Sequence, residues 1–269
     1  MDLELAGKTA IVTGASRGIG LAIARALHNE GVSLVLVAHT EETLLKASRS
    51  LSSQSGTSKT AQRAPVHPIA ADLNQGTEVV RVAKQAIERL GHVDILVNNA
   101  ARARVGRFFE VQERDMEAVW IVKGLGYVRM VRAIAPHMME RRSGSIINVI
   151  GNTARTPTED FVIGSMVNAA LVNFTRGISR ELARSNVRIN AISPGWTLTE
   201  QQQQVIDMQA SAKGVSAEDI ERREARGIPI GRLVRVEEIA TLALLLASGK
   251  LPSLTGEDII IDGGTTPAI

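Results

Sequence analysis

The sequence predicts a doubly wound α/β fold of the Rossmann type, a parallel sheet of about seven strands flanked by helices. The prediction rests on short, nearly continuous apolar runs, on longer stretches of helical period between them, and on a glycine-rich turn after the first run. Runs without polar alternation suit strands covered on both faces, as parallel strands are.

In chain order, strands are expected at Thr9–Thr13, Ser33–Ala38, Val66–Ala71, Asp94–Val97, Ser145–Ile150, Arg188–Ile192 and Asp258–Ile261. Helices are expected at Ile19–Glu30, Gly76–Leu90, Met116–Glu140 and Gly164–Arg184. Ser50–Thr60 is rich in Ser, Gln, Gly and Thr and reads as a solvated loop. Glu200–Gly227 opens with Gln201–Gln204 and continues as charged, weakly amphipathic helix, with the glutamines facing solvent. It falls where such folds carry a substrate lid. No repeat or second domain interrupts the pattern, so residues 1–269 are expected to form one domain with a lid at about 200–227.

Composition narrows the function. The 269 residues are 44% hydrophobic and 22% charged, enough for one large core. The net charge is +3, with basic and acidic residues interspersed, which argues against a nucleic-acid surface. There is no cysteine, which excludes disulfides, thiolate nucleophiles and cysteine metal sites, and the five histidines have no metal-site spacing. No metal is expected. No apolar run approaches the roughly 20 residues that cross a bilayer. The acidic start Met1-Asp2-Leu3-Glu4-Leu5 is unlike a secretory signal, so a cytoplasmic protein without membrane attachment is expected.

Directly after the first strand comes Thr13-Gly14-Ala15-Ser16-Arg17-Gly18-Ile19-Gly20, which opens a helix. Gly14 permits a tight turn, Gly18 lets backbone approach a pyrophosphate, and Gly20 lets helix pack closely on strand. The N–H groups and dipole of the helix start then favour a phosphate.

This segment resembles the glycine motif of the short-chain dehydrogenase/reductase family, and further landmarks follow in order. They are Asp72 with Leu73, Asn98-Asn99-Ala100-Ala101, Ser193-Pro194-Gly195-Trp196-Thr197-Leu198-Thr199, Gly231-Arg232-Leu233 with Glu238-Ile239-Ala240, Thr255-Gly256, and Asp262-Gly263-Gly264. The resemblance implies an adenine contact at Asp72 and a nicotinamide cupped by Pro194 and Gly195. The implied cofactor set is Gly14, Ser16, Arg17, Gly18, Ile19, Gly20, His39, Asp72, Leu73, Asn99, Ala100, Pro194, Gly195, Thr197 and Thr199. The second strand ends in Ala38, His39 and Thr40, without the acid that bonds an NAD ribose. Arg17 stands where the family often holds a 2′-phosphate, so NADP(H) is expected over NAD(H).

In the family, hydride transfer is accompanied by a proton relay of Asn, Ser, Tyr and Lys, the Tyr pKa being lowered from about 10 by the lysine. Matching motif to motif, those positions here are Ile121, Gly151, Gly164 and Asn168. The only tyrosine, Tyr127, lies in a different helix with Val131 four residues on. Ordinary ketone reduction by the family relay is therefore not expected. Substitute polar residues are Asp160, Asn168 and Arg155, with Asn152, Thr153 and Ser165 nearby and Arg102 and Arg104 for an anionic substrate. Arg155 and Asp160 are expected to pair on a solvated loop, and Lys123 to face an interface rather than the cavity. Three functions stay open: a family NAD(P)(H)-binding protein without the relay, an enzyme of altered chemistry on the same scaffold, or a structural subunit that needs no ligand. The first two take a small-molecule ligand or substrate. By resemblance, the helices Met116–Glu140 and Gly164–Arg184 pack in a homodimer or homotetramer; the apolar stripe of the second, Val167, Ala170, Leu171, Phe174 and Ile178, fits an interface or a core face equally well.

Overall fold

The computed structural model describes residues 1–53, 64–102 and 105–267. Its elements run β1 (Thr9–Thr13), α1 (Gly18–Asn29), β2 (Ser33–Ala38), α2 (Glu41–Ser53), β3 (Val66–Ala70), α3 (Gly76–Leu90) and β4 (Ile95–Asn98). After these come α4 (Glu113–Val119), a π-helical turn (Trp120–Leu125), α5 (Gly126–Glu140), β5 (Gly144–Val149) and α6 (Val162–Ala183). The chain closes with β6 (Val187–Pro194), β7 (Thr197–Leu198), α7 (Glu200–Lys213), α8 (Ala217–Glu224), β8 (Val234–Arg235), α9 (Val236–Ala247) and β9 (Asp258–Ile261).

Seven strands form one parallel sheet in the order β3-β2-β1-β4-β5-β6-β9. Helix α1 and helix α9 cover one face, where Ile23, Leu27, Ile239, Ala243 and Leu246 pack on Ala10, Val12, Leu34 and Leu36. Helices α3 and α5 cover the other, with Val79, Val82, Met130 and Ile134 on Ile11, Val35 and Leu96. Both faces of β1 and β2 are thus sealed, which is why their sequences lack polar alternation. Strand order reverses between β1 and β4, and the loops at the C-terminal edge open a crevice there.

Helices α7 and α8 share a small core of Ile206, Ala210, Ile220, Ala225, Ile228 and Leu233. Gln201 and Gln204 are exposed as expected, whereas Gln202 and Gln203 are half-buried. Gln202 donates to Glu224 across the two helices at 2.6 Å, and Gln203 lines a pocket of about 310 Å³ beside Gly18 and Thr199.

Two expectations need correction, and one open alternative is resolved. The single helix Met116–Glu140 is instead α4, a π-turn and α5, because the wide turn at Trp120–Leu125 breaks the 3.6-residue register. Of the loop placed at Ser50–Thr60, residues 50–53 instead complete α2, with Leu51 buried, and residues 54–60 lie outside the described residues. The apolar stripe of α6 is divided: Val167 and Leu171 belong to the core, Phe174 and Ile178 are half-buried, and Ala170 is exposed.

Candidate functional site

The crevice begins with Thr13 at the end of β1. Its hydroxyl donates to the Val97 carbonyl and accepts from the N–H groups of Asn99 and Ala100, at 2.9 and 3.1 Å. The Asn99 amide donates to the Thr13 and Gly14 carbonyls at 3.2 Å. One threonine and one asparagine therefore lock the β4 loop to the glycine loop. Close approach explains Gly20: a side chain there would overlap the Gly14 carbonyl oxygen and the Asn99 amide nitrogen. Helix α1 starts at Gly18 with no acidic residue in its first turn, leaving its N-terminal dipole uncancelled. Arg17 and His39 are exposed at this end of the groove.

Across the groove, Thr199 caps α7 by accepting from Gln202 N–H, and its methyl would stand 3.5 Å from a Cβ on Gly18. Thr197 donates to the Gly195 carbonyl at 2.8 Å. Gly195 packs against Asp262, a Cβ there falling 2.5 Å from Asp262 Cβ. Asp262 accepts from Asn152 Nδ2 at 3.1 Å, Gly264 N–H at 3.0 Å and Thr266 N–H at 2.8 Å. Burial works to raise its pKa, but these bonds together hold it below the ordinary value. Asp72 accepts from the backbone and side-chain amides of Asn74, fixing the turn into α3 beside buried Leu73.

The residues that follow β5 turn inward. Gly151 takes φ +142°, a conformation open to glycine, and a Cβ there would lie 2.9 Å from Asn168 Nδ2. Asn168 is buried and donates to Thr153 at 2.8 Å; its Oδ1 has no hydrogen-bond partner among the described residues. At Gly164 a side chain would overlap the ring of Phe161. Ser165 donates to the Phe161 carbonyl at 2.9 Å, fixing that residue at the head of α6.

Several candidate roles are corrected by this arrangement. Arg155 pairs not with Asp160 but with Asp258, at 3.2 Å, while Ser193 donates to the other Asp258 oxygen at 2.5 Å. The buried carboxylate on β9 attracts the guanidinium more strongly than a solvated one. Asp160 is exposed and accepts from Thr158 at 2.7 Å, whereas Asn168 is buried against Thr153, so the two are not assembled as a relay. Asn152 and Thr153 brace the loop. Arg102 is exposed and faces Asp115 at 3.9 Å, and Arg104 lies outside the described residues.

Lys123 is the largest departure. It sits in the π-turn, only 9% exposed, and donates to the Ile150 carbonyl at 2.5 Å. The sequence places it at an interface and puts the relay position at Ile121, which is half-buried. The π-turn shifts the helical face, so Lys123 reaches the C-terminal end of β5 instead. One turn on, Tyr127 donates to the adjoining Val149 carbonyl at 2.8 Å. Burial pushes the Lys123 amine down to about 7 and the Tyr127 phenol well above its ordinary value. Phe161 was also missed, since a phenylalanine three residues before a glycine carries no site signal. A lysine within the apolar stretch Val119–Leu125 was the available signal for Lys123.

A crossover sheet with a glycine loop at its switch point defines a dinucleotide-binding class of protein. Residues 14–266 match the family described as "Enoyl-(Acyl carrier protein) reductase". The chain is 33% identical to 2,3-dihydro-2,3-dihydroxybenzoate dehydrogenase of Bacillus subtilis (strain 168) over 97% of this chain and 96% of that one. It is 30% identical to the NADPH-dependent reductase BacG of the same organism, covering 97% and 99%. Among solved structures, L-sorbose reductase from Gluconobacter frateurii, complexed with NADPH and L-sorbose, superposes with TM-score 0.92 at 30% identity, all of both chains covered. The chain belongs to the short-chain dehydrogenase/reductase family.

Proposed function

We propose that this protein binds NADP(H) in the C-terminal crevice and does not reduce ordinary ketones by the family's hydroxyl relay. The observation that carries this reading is a contrast within one crevice. The glycine cradle is held open by Thr13 and Asn99, while Phe161 covers Gly164 and Asn168 abuts Gly151. Gly14, Ser16, Arg17, Gly18, Ile19 and Gly20 would hold the pyrophosphate at the start of α1. Arg17 and His39 would meet the 2′-phosphate, Asp72 and Leu73 the adenine, and Asn99 and Ala100 the ribose side. Pro194, Gly195, Thr197 and Thr199 would line the nicotinamide end, with α7 and α8 as a lid of the same domain. The NADPH named for two relatives supports that preference. Bound NADPH would supply a hydride. The protein's own residues orient the cofactor and exclude water, but neither Gly164 nor Gly151 has a side chain to exchange a proton.

A second reading, an enzyme of altered chemistry, is favoured by the buried amine of Lys123. Both readings include a small-molecule ligand and a homodimer or homotetramer formed through the exposed faces of α5 and α6. A monomer by light scattering at micromolar concentration would contradict that assembly.

Titration with NADPH and NADH tests the proposal. Trp196, 61% exposed beside Gly195, serves as the fluorescent reporter. NADPH at 100 times its Kd is expected to stabilise the fold by about 2.7 kcal/mol, with NADH binding more weakly. An unchanged melting temperature at millimolar NADPH would contradict it.

A further inference from the structure

Lys123 is a buried amine to which the cofactor-binding reading gives no role. Its Nζ donates to the Ile150 carbonyl, in the peptide that leads into Gly151 and Asn152. Asn152 donates to Asp262, and Asp262 packs on Gly195, the residue proposed to cup the nicotinamide. A chain of direct contacts thus runs from the amine to the nicotinamide end of the crevice. The π-turn is seated against α6 here: a Cβ on Gly124 would lie 3.6 Å from Val167, next to Asn168.

The surroundings leave this charge without a buried counter-ion. On the same helical run Tyr127 is neutral, its phenol pushed well above the ordinary range. The facing residues of α6, Ser165, Val167 and Asn168, carry no charge, and neither do Ile147, Asn148 and Val149 of β5. The charges of α4 stand outside the core: Glu113, Arg114 and Glu117 are exposed and half-buried Asp115 faces Arg102. On the loop side, Arg155 is paired with Asp258, and the Asp262 carboxyl titrates below its ordinary range. The one histidine on these elements, His137, lies in the last turn of α5, away from the π-turn.

We infer that Lys123 is a specificity-determining residue that sets the preference of the site between reduced and oxidised nicotinamide. An ammonium there repels the cationic ring of NADP⁺ and leaves the uncharged ring of NADPH unaffected. Deprotonated, it discriminates little. The 2′-phosphate and pyrophosphate are common to both forms and cancel in the ratio of their affinities. The inference rests on the reading that the crevice takes a nicotinamide dinucleotide.

The test is the ratio Kd(NADP⁺)/Kd(NADPH), measured by calorimetry between pH 5.5 and 9 for wild type, Lys123→Met and Lys123→Arg. For wild type the ratio is expected to fall roughly tenfold as pH rises through about 7, the size expected for one charge acting across a partly screened interior. Lys123→Met should hold the low ratio at every pH, and Lys123→Arg, always charged, the high one. A wild-type pH profile retained in both variants overturns the role of Lys123 while leaving cofactor binding intact. If neither nucleotide binds wild type, the cofactor reading itself fails and this inference falls with it. Circular dichroism checks that each variant folds, and should Lys123→Met not fold, Lys123→Arg against wild type decides.

Discussion

Gly20→Ala is expected to destabilise the fold by about 1–3 kcal/mol and to weaken NADPH binding by a further 10- to 100-fold. The added methyl would overlap the Gly14 carbonyl oxygen and the Asn99 amide nitrogen. Neither can withdraw cheaply, because the amide is itself bonded to the Thr13 and Gly14 carbonyls. Relief requires α1 to move away from β1, which carries the N-terminal N–H groups out of register with a pyrophosphate. Gly177→Ala is the internal comparison. It lies in α6 with open space around it, and should gain about 0.5–1 kcal/mol from helix propensity. Urea unfolding of both variants, with NADPH titration of the folded proteins, reads the difference. Equal stability for the two would mean that the glycine loop is not the tight junction described.

Lys123→Met should stabilise the protein at neutral pH and lose that advantage in alkali. Burial lowers the amine from 10.5 in the unfolded chain to about 7 in the folded one. Between those two values the unfolded chain binds more protons, so wild-type stability rises with pH; below about 7 the penalty of the buried charge is complete. At 1.36 kcal/mol per pH unit the penalty is on the order of 4 kcal/mol. Loss of the bond to the Ile150 carbonyl returns about 1–1.5 kcal/mol of that gain. The variant is therefore about 2–3 kcal/mol more stable at pH 7 and less stable than wild type near pH 10.5, so the two curves cross. Urea unfolding at several pH values measures them. Parallel curves would show that the Lys123 amine titrates alike in the folded and unfolded chain, so that burial does not penalise its charge.

Periodicity located the sheet and most helices because each apolar run is sealed on both faces, leaving an unbroken signal. The glycine loop was equally legible: the same residues that permit close approach also punctuate the sequence. What could not be read was the direction of individual side chains after β5. Arg155 was legible as a polar loop residue, but its partner, Asp258, lies on the far edge strand. Lys123 was misplaced because a π-turn, invisible to a 3.6-residue count, rotates it inward. The overlap of Phe161 with the space at Gly164 depends on how the chain enters α6, a tertiary detail that neither residue announces.

A nicotinamide site without a hydroxyl relay is probed by NADPH oxidation at saturating cofactor with a panel of ketones, β-ketoacyl thioesters and hydroxyketones. A family member that carries the tyrosine serves as the reference under the same conditions. Saturable NADPH binding is expected, with turnover about 10²- to 10⁴-fold below the reference on every ketone. Turnover matching the reference on any of them would contradict it.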